Sequence, residues 1–307
     1  MATPIHIPVL REEVLKALNI QPGKRYIDCT LGLGGHAKSI LENSQPGGML
    51  LGIDADPDAI RLAKTTLANY AKTTIIVNDN FVNLERICKE NDFLPVQGIL
   101  FDLGISSAQL EAPRRGFSFQ YDSPLDMRID PTQQLTASDI VNTYTENELA
   151  NIIWNYGEER YSHRIARHII SNRPISSTTE LARAIEQAIG RRTEKIHPAT
   201  RTFMALRIAV NHELANLAHA LEQAINCLDH EGRLAVISYH SLEDRVAKQL
   251  MIKESKGCLC SPSAPVCQCK HKPALALVSR KAIKPSLGEI ALNPRSRSAK
   301  LRVAERL

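Results

Sequence analysis

No apolar run in this 307-residue chain approaches the length needed to span a bilayer, which argues against a helical membrane protein. The first residues, Met1-Ala2-Thr3-Pro4-Ile5-His6, contain no basic segment followed by a hydrophobic one, so a secretory leader is not expected. Aromatic residues are scarce, at 5% with a single tryptophan. Cysteine is too sparse and too odd in number, at seven, for a disulfide framework in a chain of this length. Internal repeats and low-complexity tracts are missing as well. What remains is the profile of a soluble cytoplasmic protein. Its 43% hydrophobic content is enough for one large domain or two ordinary ones.

Acidic residues run short in two zones. Between Asn155 and Val210 there are ten Lys/Arg against five Asp/Glu, and between Lys270 and Arg302 nine against one. The whole chain carries only +5, so the remainder must be acidic, at −8. Either zone alone reads as an ordinary solvated helix face. Two basic zones on an acidic body suggest a polyanionic partner, RNA or DNA.

Strand-like runs occupy 25–29, 49–53, 74–78 and 98–102, with helical runs between the first three. This alternation implies a parallel sheet. Strand character then vanishes for roughly 130 residues, far beyond ordinary loop lengths. It returns at Arg233-Leu234-Ala235-Val236-Ile237-Ser238 and again near Ala299-Lys300-Leu301-Arg302-Val303. The gap reads as helices. Thr145-x-x-Glu148 and Ser177-x-x-Glu180 have capping-box form, and Pro198 fits a first helical turn. Phe203, Leu206, Val210, Leu214, Leu217 and Leu221 form one amphipathic stripe. The expected architecture is therefore α/β, a Rossmann-like, mostly parallel sheet with an inserted helical domain. Residues 1–110 and 221–307 would form the discontinuous sheet domain, and 111–220 the insertion.

The chemistry-bearing segment is Asp28-Cys29-Thr30-Leu31-Gly32-Leu33-Gly34-Gly35-His36, set between a strand-like and a helix-like run. Glycines let a backbone approach a ligand closely, and a helix start offers unpaired N–H donors. Asp54 closes the next strand, at the distance usual for an acid that takes a ribose hydroxyl. Gly32-x-Gly34-x-x-Ala37 also satisfies a relaxed dinucleotide pattern, so an NAD-dependent oxidoreductase is a competing reading. Asp28 weighs against it. A carboxylate at that strand end would repel a pyrophosphate but suit S-adenosylmethionine, which carries an ammonium and a sulfonium and no phosphate.

Asp102-Leu103-Gly104-Ile105-Ser106-Ser107-Ala108-Gln109 follows the fourth strand, where open α/β sheets bind ligands. Its carboxylate, hydroxyls and amide can orient an exocyclic amine, although Asp, Gly and Ser are also ordinary turn residues. Arg114-Arg115-Gly116-Phe117-Ser118-Phe119 mixes cations with rings that could stack on bases, although core packing is the better expectation. After the fifth strand, Ser241 and Asp244 stand in near capping-box relation, and His240, ahead of that cap, could position a base or relay a proton. Cys258, Cys260, Cys267 and Cys269 could hold a structural zinc or could be reduced thiols in a surface loop. Cys29, Cys88 and Cys227 fall in apolar runs and read as core residues.

Taken together, these motifs resemble the bacterial RsmH (MraW) family of small-subunit ribosomal RNA cytosine-N4 methyltransferases. The matching segments run from His6-Ile7-Pro8-Val9-Leu10 to Asn293-Pro294-Arg295-Ser296-Arg297-Ser298-Ala299-Lys300-Leu301. They include Pro124-Leu125-Asp126-Met127-Arg128, Tyr156-Gly157-Glu158-Glu159 and His197-Pro198-Ala199-Thr200-Arg201. The resemblance implies a class I methyltransferase fold, with methyl transfer to N4 of a cytidine in 16S rRNA of the small ribosomal subunit, in the decoding region near the P site. It places cofactor contacts on Gly34, Gly35, His36, Asp54, Phe81, Asp102 and Gln109, joined by Asp28 from the charge argument. Asp102 with Ser106 and Ser107 is the first candidate for orienting N4, and His240 the second. Some members of the family lack the cysteine quartet, so catalysis should not depend on it. A homodimer is a further expectation, and a binding-only ribosome-assembly factor is the remaining alternative.

Overall fold

The computed structural model describes residues 8–106, 109–110, 112, 114–190, 196–261 and 266–307. They form two compact units, 1–104 with 214–307, and 105–213. The expected insertion, 111–220, is offset from this division by six or seven residues at each end.

In the first unit, helix α1 (Arg11–Ala17) leads into β1 (Arg25–Asp28), α2 (Gly35–Asn43), β2 (Met49–Asp54), α3 (Pro57–Thr66), β3 (Thr74–Asn78), α4 (Leu84–Glu90) and β4 (Val96–Asp102). After the second unit the sheet resumes with β5 (Leu228–Ser238) and β7 (Lys300–Arg306), and a short β6 (Leu275–Leu277) precedes β7. The sheet order is β3-β2-β1-β4-β5-β7-β6. β1 to β5 pair in parallel; β7 is antiparallel to β5 and β6. Chain order reverses between β1 and β4, which makes their carboxyl ends the topological switch point.

Alternate strand residues feed two cores. Tyr26, Leu50, Leu100, Ala235 and Ile237 pack with Val14, Ala37, Ile40 and Ala63 on one face. Ile27, Leu51, Ile99, Phe101 and Val236 pack on the other with Leu84 and Ile87 and with Leu221 and Ala224 of helix α10 (Glu213–Cys227). Period-two alternation of side chains lets a sheet bury both faces, and helices cover each of them. Cys29, Cys88 and Cys227 are buried in the second core, as expected.

The second unit is helical: α5 (Ala137–Thr143), α6 (Glu146–Gly157), α7 (Ser162–Ser171), α8 (Thr178–Ile189) and α9 (Ala199–Asn211). Thr145 and Glu148 form the expected capping box. Ser177 accepts from the Glu180 N–H, but the Glu180 carboxylate turns to Ser176 instead of closing the box. Pro198 caps α9. The stripe read as one helix is two: the chain breaks at His212, whose φ of +51° is left-handed. Phe203, Leu206 and Val210 serve the helical core, whereas Leu217 and Leu221 serve the sheet core. Among the described residues, no helix is long and apolar enough to cross a membrane.

Candidate active site

The first loop after β1 turns on left-handed glycines, Gly32 at φ +51° and Gly34 at +80°. Gly34 is the N-cap of α2 and brings no side-chain cap, so the helix start presents its amides unscreened. A Cβ on Gly35 would stand 2.8 Å from the Pro8 ring, so this corner admits no side chain there. Asp54 holds the loop from the neighbouring strand: its Oδ2 accepts from the Gly32 N–H at 2.7 Å and its Oδ1 from the Asp56 N–H at 2.9 Å.

Strand register sets the acids. Asp28 lies opposite Gly52 on β2 and Leu100 on β4, so Asp54 and Asp102 stand two residues further on at the same parity. Asp28 is 1% exposed and accepts from the Thr30 N–H at 3.2 Å. Burial pushes its carboxyl up to about 7, against the pull of the His36 imidazole and the Thr30 N–H; the Asp102 and Asp54 charges add to the rise.

Asp102 is the more open acid. Its backbone N–H donates to Thr30 Oγ1 at 2.6 Å, which locks β4 to the glycine loop. Its Oδ1 accepts from the Tyr239 hydroxyl at 2.8 Å, and its Oδ2 lies 3.5 Å from His36 Nε2. The contact is an ion pair when His36 is protonated, and buried Nε2 makes no aligned hydrogen bond among the described residues. Burial opposes charge on His36, but Asp102, reinforced by Asp28, outweighs it and raises the imidazole above its ordinary value. Burial and the Asp102 carboxylate push the Tyr239 phenol far above its usual range, so it remains a donor to Asp102. Phe81 is half-buried and packs edge-on against Phe101, with centroids 5.7 Å apart.

The structure therefore brings Gly34, Gly35, His36, Asp28, Asp54 and Asp102 to the carboxyl ends of β1, β2 and β4. These residues suit S-adenosylmethionine on structural grounds. An anionic edge faces a cationic ligand, the glycine corner leaves room for a close backbone approach, and one buried imidazole nitrogen lacks an aligned partner. Tyr239 and Thr30, which sequence reasoning left without a role, are the residues that fix Asp102.

His240 is placed differently from expectation. It is itself the N-cap of α11 (Ser241–Glu254), with Nδ1 facing the Glu243 N–H at 3.4 Å. The Glu243 carboxylate accepts from the Tyr239 N–H at 2.8 Å and the His240 N–H at 3.3 Å. The capping box is thus His240–Glu243, not Ser241–Asp244. Asp244 pairs with Arg302 at 2.6 Å and Lys300 at 3.1 Å, which engages two cations of the C-terminal basic zone.

In the second unit, Ser106 and Gln109 close a reciprocal turn. The Ser106 N–H donates to Gln109 Oε1 at 2.8 Å, and the Gln109 N–H to Ser106 Oγ at 3.2 Å. Ser107 lies outside the described residues. The Arg115-to-Phe119 segment braces the helical core: Phe117 is 8% exposed, and Arg115 donates to the carbonyls of Arg128 and Ile129. Phe119 stacks on His197 with centroids 4.4 Å apart. Arg164, Arg167, His168 and Gln187 line an open groove of about 340 Å³.

A doubly wound sheet with a glycine corner and carboxylates at its switch point defines an S-adenosylmethionine-dependent methyltransferase. The chain belongs to the MraW methylase family, whose profile matches residues 3–307. The ribosomal RNA small subunit methyltransferase H of Dehalococcoides mccartyi is 58% identical over 302 residues, 98% of this chain and 86% of its own length. The protein of the same name from Thermomicrobium roseum is 50% identical over 305 residues, covering 98% and 94% of the two chains. That from Brevibacillus brevis is 48% identical over 308 residues, 98% of each. Family membership sets aside the oxidoreductase and binding-only readings.

Proposed function

We propose that this protein methylates the exocyclic N4 amine of a cytidine in small-subunit 16S rRNA, in the decoding region near the P site. The observation that carries the reading is Asp102, its carboxylate held by the Tyr239 hydroxyl and its backbone N–H by Thr30 Oγ1, beside His36 at the glycine corner. When bound there, S-adenosylmethionine supplies a methyl group already activated by its sulfonium. The chain's own work is then positioning.

Gly34 and Gly35 let the backbone approach the donor. Asp54 meets its ribose hydroxyls while tethering the loop, and Phe81 offers an apolar wall for its adenine. Gln109 is a further donor contact that the family resemblance implies. Asp28, itself buried, contributes negative charge behind His36. On the acceptor side, Asp102 takes a hydrogen bond from N4 and localises a lone pair otherwise delocalised into the ring. Ser106 and Ser107 orient the same amine, and His240 takes a secondary positioning role through the turn it caps. Arg164, on the groove of the helical unit, contacts RNA phosphates. The proposed setting is the cytoplasm, where the ribosomal substrate is found.

The test is transfer from labelled S-adenosylmethionine to 30S subunits lacking the modification, followed by nucleoside mass spectrometry of the 16S rRNA. N4-methylcytidine at one position is the expected product. A methylated carbon-5 or another base, or no transfer by protein that binds the donor, overturns the assignment.

A further inference from the structure

The connection from α11 to β6 is pinned at its base. The Ala274 N–H donates to the Glu254 carbonyl at 2.8 Å, and the Ala274 carbonyl accepts from the Leu307 N–H at 3.0 Å and from Arg306 at 2.9 Å. Above that base, Cys258, Cys260, Cys267 and Cys269 bring their sulfur atoms within 4.8 Å of one another. Cys258 and Cys267 are 3.4 Å apart, Cys258 and Cys269 3.8 Å, and Cys267 and Cys269 3.6 Å. All four are free thiols.

Neither burial nor cross-linking accounts for this convergence. Cys258, Cys267 and Cys269 are exposed, so the cluster adds nothing to a core, in contrast to buried Cys29, Cys88 and Cys227. The spacing fits a different purpose. Four sulfurs at about 2.3 Å from a central zinc form a tetrahedron with edges of roughly 3.8 Å. The backbone is arranged to favour thiolates: the N–H groups of Leu259, Cys260 and Gln268 point at the sulfurs of Cys269, Cys258 and Cys260, at 3.3, 3.4 and 3.4 Å. Lys256, Lys270 and Lys272 flank the quartet in sequence and offset its charge.

We propose that Cys258, Cys260, Cys267 and Cys269 form a tetrahedral zinc site. Binding converts four thiols to four thiolates and releases four protons; the complex carries a charge of −2, and no electrons move. Four sulfur ligands leave no open position, so the ion is structural and takes no part in methyl transfer. The loop is already closed at Ala274, so the zinc ties the two cysteine pairs together and leaves the sheet independent of it.

The test is metal analysis of the full chain purified under reducing conditions, which should give one zinc per chain. A Cys260→Ser/Cys269→Ser variant should lose that zinc while keeping the far-ultraviolet dichroism and the donor affinity of the parent. Cobalt added to metal-free parent protein should produce thiolate-to-metal charge-transfer absorption with tetrahedral d–d bands, and this reading does not need the variant to fold. Failure of the metal-free parent to take up zinc or cobalt overturns the proposal. So does zinc retained in the variant, one iron per chain in place of zinc, or disulfides between these cysteines in the reduced preparation.

Discussion

The sheet unit and the helical unit are both dense in polar motif residues, yet they use them in opposite ways. In the helical unit the groups are consumed by one another. Arg128 holds Asp126 through two contacts of 2.7 and 2.9 Å, Arg115 spans two carbonyls, and Asn211 links the Ile129 N–H to the Met127 carbonyl. At the strand ends of the sheet unit the groups are fixed mainly through backbone amides and hydroxyls. Asp54 and Asp102 are fixed by backbone amides, a hydroxyl and a phenol, while His36 Nε2 lacks an aligned partner. A motif alone does not distinguish bracing from chemistry; the partners of its polar atoms help to do so.

The sharpest way to break this contrast is to swap the kinds of damage. Asp102→Ala should lower the methyl-transfer rate by about 10²- to 10³-fold at saturating donor, the scale of losing a charged orienting group. The thermal unfolding midpoint should fall by only a few degrees, because the Tyr239 hydroxyl loses its acceptor while the fold is kept. Single-turnover kinetics on 30S subunits checks this, and a rate within threefold of the parent would remove Asp102 from the chemistry. Gly116→Ala should do the reverse. Gly116 has φ +71°, and a Cβ there would stand 2.4 Å from the Pro124 carbonyl oxygen. A cost of about 2–3 kcal/mol, read by denaturant unfolding, follows from the strain and the clash.

A smaller effect separates the two units by pH. The Asp28 carboxyl is pushed up to about 7, so it gains a proton as pH falls through that value and the site loses one negative charge. His36, raised above its ordinary value, gains a positive charge in the same direction. Both changes weaken attraction for a cationic donor, so affinity should fall on acidification, by up to about tenfold per pKa unit of coupling. Asp28→Asn should flatten that slope, leaving the His36 share. Calorimetric titration across neutral pH gives the answer; a slope unchanged in the variant would disconnect Asp28 from the donor. The smallest effect concerns charge on the surface. Arg164→Ala should reduce the salt dependence of RNA binding by about 0.7–0.9 of a counterion. Arg302→Ala, whose charge is engaged by Asp244, should leave that slope unchanged. Equal slopes for the two variants would erase the distinction between bracing and binding cations.

The same contrast explains what could be read in the chain before its structure. β1 to β5 were legible because each is an apolar run next to a turn or cap signal, and the Asp28–His36 corner because glycine and acid spacing constrain so few folds. β6, with three residues, and α1, with seven, carry too little periodicity to declare themselves. The break at His212 was hidden because Leu214, Leu217 and Leu221 continue the spacing of Phe203, Leu206 and Val210, while Leu217 and Leu221 serve a different core. The His240 cap was misplaced because Ser is the commoner cap and histidine is rarely read as one. Tyr239 gave no signal at all: its role depends on the hydrogen bond to Asp102, 137 residues away in sequence.

The most direct test of the strand-end site is equilibrium titration of S-adenosylmethionine into the parent and into Gly34→Ala. Gly34 sits at φ +80°, and a Cβ there would meet the Leu67 side chain at 3.3 Å, a contact the flexible leucine can relieve. The unfolding midpoint should therefore fall modestly, while donor affinity drops by more than about tenfold, or 1.4 kcal/mol. Undiminished affinity in a folded Gly34→Ala protein would place the donor somewhere other than the glycine corner.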